Sequence, residues 1–151
     1  GAMLSLLVCL MFTGCSNSET NSTSRGLTDF AHIEEEYLAT IDSLNWPDGI
    51  TLPDKLEDED TGASFQVGYG ETRASYLWEY SWMKEWLDTY NTDPERAEKA
   101  LEELEKAFDM PYMGIDRCDD ATRNYLRENI DKAKLGDPSG FTESIRANYA
   151  N

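Results

Sequence analysis

From Gly70 to Asn91, apolar and aromatic side chains return every three or four residues, the interval that aligns one face of an α-helix. At about 100° per residue, Trp78, Trp82 and Trp86 form one stripe, and Tyr76, Tyr80, Met83, Leu87 and Tyr90 form a second beside it. Together the stripes span roughly 200°, about twice the width that a helix resting on one neighbour requires. Such a helix is either central to the fold or keeps one face for a partner. Arg73, Ser81, Lys84, Glu85 and Asp88 fall on the remaining, polar side. Glu79 is the exception, a carboxylate inside the aromatic arc. There it must be paired, protonated or open to a cleft.

The same periodicity predicts the other elements. A helix over residues 28–45 shares Phe30, Ile33, Tyr37, Ile41 and Leu44 on one face, with Thr28 or Asp29 as its cap. Its run Glu34-Glu35-Glu36 reads as a solvated acidic cluster in the first half of the helix. Trp46-Pro47-Asp48-Gly49 ends it, because proline disfavours helix at the preceding residue and Asp-Gly is turn chemistry. Residues 50–70 form a long connection in which Phe65-Gln66-Val67 has the character of a short strand. Beyond the aromatic helix, Asp93-Pro94 opens a helix to about Phe108, with Ala97, Ala100, Leu101, Leu104 and Phe108 inward and Glu95-Lys99 and Glu102-Lys106 pairing outward. Another helix runs over 119–135, with Ala121, Tyr125, Leu126, Ile130 and Ala133 inward and Gly136 closing it. Asp137-Pro138 starts a short last helix aligning Phe141, Ile145 and Tyr149. The expected fold is all-α, four to five helices packed around the central aromatic helix, with one long irregular loop.

The first residues have a different pattern. Gly1-Ala2 before Met3 reads as the scar of a removed tag, and Leu4 to Phe12 is a continuous apolar run too short to span a bilayer. Phe12-Thr13-Gly14-Cys15 follows at once. This resembles the lipobox of bacterial lipoproteins, an apolar residue and two small residues before a cysteine. The resemblance covers residues 1–15 and implies cleavage before Cys15, a lipid on its thiol, and a location on the extracytoplasmic side of a cell membrane. Residues 16–26, SNSETNSTSRG, carry too little apolar surface to fold and read as a flexible tether; residues 27–151 form the helical domain. On this division the mature domain keeps Cys118 alone, with no internal disulfide.

Charge narrows the function classes. Lys and Arg total 13 against 30 Asp and Glu, a net charge of -17, so nucleic acid is excluded as a partner for want of a basic surface. The acidic run Glu57-Asp58-Glu59-Asp60 fails the EF-hand spacing: a loop starting at Glu57 puts Gly68 where a bidentate Glu belongs, and one starting at Asp58 puts Ala63 at the glycine position. No metal and no cofactor are expected. Gly68-Tyr69-Gly70 ahead of a helix, with Arg73 nearby, offers backbone N–H groups to an anion, or simply lets the chain turn. His32 falls on the polar side of its own helix, which argues against a Cys-His pair with Cys118. The favoured reading is a non-catalytic, lipid-anchored domain that binds a protein, peptide or cell-envelope component. Its expected binding residues are Trp78, Trp82, Trp86, Tyr76, Tyr80 and Arg73, because aromatic side chains carry interface energy wherever they stay exposed. The alternative is a small carboxylate-based hydrolase or lyase, with Glu79 as acid and Asp60 or Glu71 as its partner. In a purely structural role, Glu79 is a buried acid held by a Tyr hydroxyl or by Arg73, Arg117 or Arg123.

Overall fold

The computed structural model describes residues 26–149. The lipobox-like segment, Cys15 and all of the tether except Gly26 lie outside them. The first helix, α1 (Phe30–Ser43), is shorter than the periodicity predicts, because the Asp29 carboxylate caps it by accepting from the His32 amide at 3.0 Å. The residues just before it, Leu27–Thr28, form strand β1, which pairs antiparallel with β2 (Phe65–Gln66). That pairing draws the long acidic arm back across α1. Leu56 and Phe65 anchor the arm in a small apolar cluster with Ile33, Tyr37 and Ile41 of α1.

The aromatic helix α2 (Tyr69–Thr89) begins where Gly68 takes a φ of 95°, a conformation that favours glycine. Its first amides are not offered to an external anion. The Glu36 carboxylate of α1 accepts from Gly68 N at 2.9 Å and from Gly70 N at 3.1 Å, and the Nε2 of His32 lies 3.1 Å from it. Glu34 likewise turns inward, to the amide of Leu56 at 3.1 Å. Two members of the supposedly solvated acidic cluster are thus structural, one of them completing the positive end of another helix. Gly70 brings the two helices together backbone to backbone. A Cβ added there would stand 1.8 Å from the carbonyl oxygen of Ile33.

Helix α3 (Pro94–Glu105) starts on the Asp93 cap and lays Ala97, Ala100 and Leu104 against α2. Its winding tightens after Glu105 into a 3-10 turn (Lys106–Asp109), where the sequence predicts continued α-helix, and a second 3-10 turn (Pro111–Met113) follows. Lys106 pairs with Glu103 rather than Glu102. Helix α4 (Asp120–Lys134) is capped by Asp119 and closed by Gly136 at a φ of 78°. Helix α5 (Ser139–Asn148) crosses close over α4, where a Cβ on Gly140 would meet Asn129. The architecture is predominantly α-helical, five α-helices with one two-stranded ribbon among the described residues. Helix α2 runs between two apolar clusters, one with α1 and the arm, the other with α3, α4 and α5.

Candidate functional site

The tryptophans of α2 do not form an open face. Trp78, Trp82 and Trp86 are 1 %, 2 % and 3 % exposed. Small residues of α3 allow this helix to close over the rings, and Phe141 of α5 meets Trp86 edge-on at 5.4 Å. Trp82 is fixed further by its indole N–H, which donates to the carbonyl of Asn45 at 3.0 Å. The sequence expectation that the tryptophans leave part of the arc to a partner is therefore corrected: α3 and α5 cover them. Ser81, expected on the wet side, is buried as well and donates to the carbonyl of Leu77.

The opening lies one face further round, where α2, α4 and the end of α5 surround a solvent-open cleft of about 830 Å³. Helix α2 contributes Arg73, Tyr76 and Glu79, spaced three residues apart so that they descend one side. Helix α4 contributes Ala121, Tyr125, Leu126 and Asn129. The apolar positions at its start are inward in sequence terms, yet Tyr125 remains 38 % exposed because no element covers it. Helix α5 supplies Ser144, Ala147 and Asn148, and Tyr149 follows at its end.

Glu79 lies within this cleft and is 6 % exposed. Among the described residues its hydrogen-bond partners are two tyrosines. The Tyr112 hydroxyl donates to Oε1 at 3.4 Å and the Tyr149 hydroxyl to Oε2 at 3.5 Å, both long for hydrogen bonds between oxygens. The Tyr149 hydroxyl is also 3.3 Å from the carbonyl of Tyr76, so its single proton serves one acceptor at a time. Burial dominates the electrostatics. It pushes the Glu79 carboxyl up to about 7, against a smaller opposing effect of the two hydroxyls. Burial and the Glu79 charge likewise push Tyr76, Tyr112 and Tyr149 upward, so these phenols stay neutral donors.

The arginines considered for Glu79 are engaged elsewhere. Arg73 pairs with Glu59 of the arm, Arg117 with Glu71, and Arg123 with Asp120. Asp60 accepts from the amide of Gly62 at 2.9 Å. Neither Asp60 nor Glu71 lines the cleft, so the carboxylate pair required by the hydrolase reading is not assembled there. Tyr80 sits beside the site and packs its ring 4.9 Å from that of Tyr149. Cys118 is half-buried, its Sγ 3.7 Å from the sulfur of Met113, and burial raises its thiol. Among the described residues no group of three or more His, Cys, Asp or Glu side chains gathers as metal ligands do.

Of the expected binding residues, the structure thus brings Arg73 and Tyr76 to the cleft, keeps Tyr80 at its edge and places the tryptophans in the core. Sequence reasoning misses Asn129, Ser144 and Asn148 as site residues. Their signal was a polar residue interrupting, or lying beside, the apolar face of its helix, which Glu79 displays more clearly. No family model, curated protein or solved structure matches this chain.

Proposed function

We propose that this chain is a lipid-anchored, extracytoplasmic binding domain, held at the membrane through Cys15. It takes part of a protein, peptide or cell-envelope ligand into the cleft between α2, α4 and α5. The observation that carries this reading is the cleft itself. Its volume of about 830 Å³ lies within the range of ligand pockets, and apolar walls there converge on a few polar groups around one buried carboxylate. The lipobox-like Phe12-Thr13-Gly14-Cys15 supports the location.

One observation favours catalysis as a second reading, because a carboxyl with a pKa of about 7 suits general acid chemistry. Among the described residues, however, Glu79 is the only carboxylate lining the cleft, and no His or Cys side chain lines it with Glu79. Binding is the better-supported use of the site.

A fragment screen followed by 15N-edited NMR tests the binding reading. Ligands should perturb the amides of Tyr125, Asn129 and Asn148, and Ala121→Trp, which fills the cleft from an exposed wall position, should remove the effect with little change in melting temperature. Hits that map elsewhere, or that ignore Ala121→Trp, would refute the cleft as the binding site.

A further inference from the structure

The chemistry of the cleft specifies what its occupant carries. Resting on the reading of this cleft as a binding site, we infer that it takes an organic ammonium group, with the cationic nitrogen against Glu79 and its aliphatic stem along α4. A buried carboxylate with only long hydrogen bonds gains most from a cation that replaces its lost water. Tyr76, Tyr125 and Tyr149 line the same space, and aromatic faces attract ammonium groups. The oxygens of Asn129, Ser144 and Asn148 can accept the N–H donors that Glu79 does not satisfy. Leu126, Ala121 and Ala147 give the apolar wall that a methylene stem needs.

The surrounding charge agrees. Among the described residues Arg73 is the one basic side chain lining the cleft, and its guanidinium is already paired with Glu59. Arg96, Arg117, Arg123 and Arg127 are also held in ion pairs, so the net charge of -17 leaves an acidic field that draws cations inward. An anionic ligand would meet the opposite field.

Binding is then coupled to a proton. Among the described residues, the titratable and charged groups that line this space or bond to Glu79 are Arg73 and Tyr76 from α2, Tyr112 from the second 3-10 turn, Tyr125 from α4 and Tyr149 after α5. The hydroxyls of Tyr76, Tyr112 and Tyr149 remain protonated and Arg73 remains charged across the neutral range, so Glu79 is the group that changes. An ammonium ion favours its carboxylate form. Below neutrality, binding releases one proton from Glu79 to the buffer, and affinity rises with pH.

The test is an NMR titration of the full chain with n-butylamine, with n-butanol as the neutral counterpart, and with Gly-Lys-Gly peptide blocked by acetylation at its N-terminus, with the lysine side chain free or Nε-acetylated. The first pair detects a free amine and the second a lysine side chain. The expected result is cleft shifts with either cation, affinity up to about tenfold higher at pH 8 than at pH 6, and at least tenfold weaker binding of the counterpart that lacks the cation. Glu79→Gln should abolish both the preference and the pH dependence. Tyr125→Ala, at a half-exposed position, should weaken binding severalfold while the fold persists. Cleft shifts that are equal for butylamine and butanol, or unchanged affinity in Glu79→Gln, would overturn the ammonium assignment and leave the cleft as a site for something else. Absence of cleft shifts with every cation would overturn it too, whereas the binding reading fails separately, through the screen with Ala121→Trp.

Discussion

Glu79 is where one residue governs both stability and chemistry. Its carboxyl has a pKa of about 7 in the folded protein and an ordinary value of 4.5, so between these pH values the folded chain holds the proton more tightly than the unfolded chain. The stabilisation is fully present below pH 4.5 and is lost as pH rises through 7. From pH 5 to pH 8 this residue should cost the fold roughly 2–3 kcal/mol. Urea denaturation of wild type and Glu79→Gln at the two pH values isolates the effect: the variant should lack that part of the decline, and identical declines would contradict it. The oddity of Glu79 was legible in the sequence, because a carboxylate inside an aromatic arc breaks the pattern. Its partners were legible only as a class. A Tyr hydroxyl was one of the options, but Tyr112 and Tyr149 lie 33 and 70 residues away, and nothing local links them to it.

At the level of elements, the caps were the most readable features. Asp29 and Asp93 each cap a helix as their side-chain chemistry dictates; Asp119, which the pattern places inside its helix, is the cap of α4, and α5 starts at Pro138 with no side-chain cap bond. The two-residue strand Leu27–Thr28 has no periodicity to display, and its second residue falls inside the helix that the pattern predicts. The tightening after Glu105 is a response to packing, since α-helical spacing continues through Phe108 in the sequence. Gly70 shows the limit most clearly. Its place beside Gly68 suggests a turn, but it is a helical residue whose missing side chain lets α1 approach. Gly70→Ala should therefore destabilise the protein by roughly 3 kcal/mol or more, against a gain from helix propensity of about 1 kcal/mol. A lowered urea midpoint checks this, and a stabilised variant would show that α1 and α2 need no such contact.

For the whole molecule, the layer of helices around α2 follows from the width of its apolar arc. The cleft does not. It exists because α5 is short and covers only part of the apolar side of α4, a fact of assembly that the patterns of the separate helices do not contain. Among the described residues no helix is long and apolar enough to cross a membrane. Attachment in our proposal rests on Cys15, and Cys15→Ser should move the protein from the membrane to the soluble fraction and abolish the acyl mass increment. Retention of the variant on membranes would reject the anchor. The contact made by Glu36, Gly68 and Gly70 has a consequence for descent. An acid on one helix accepts from the amides of two glycines at the start of the next, 32 and 34 positions further along the chain. Each position has its own constraint, the carboxylate reach of Glu36, the φ of Gly68 and the backbone approach at Gly70, so the trio should outlast the residues around it. Distant kin of this chain are then to be sought by that spacing, long after the aromatic helix itself has been rewritten.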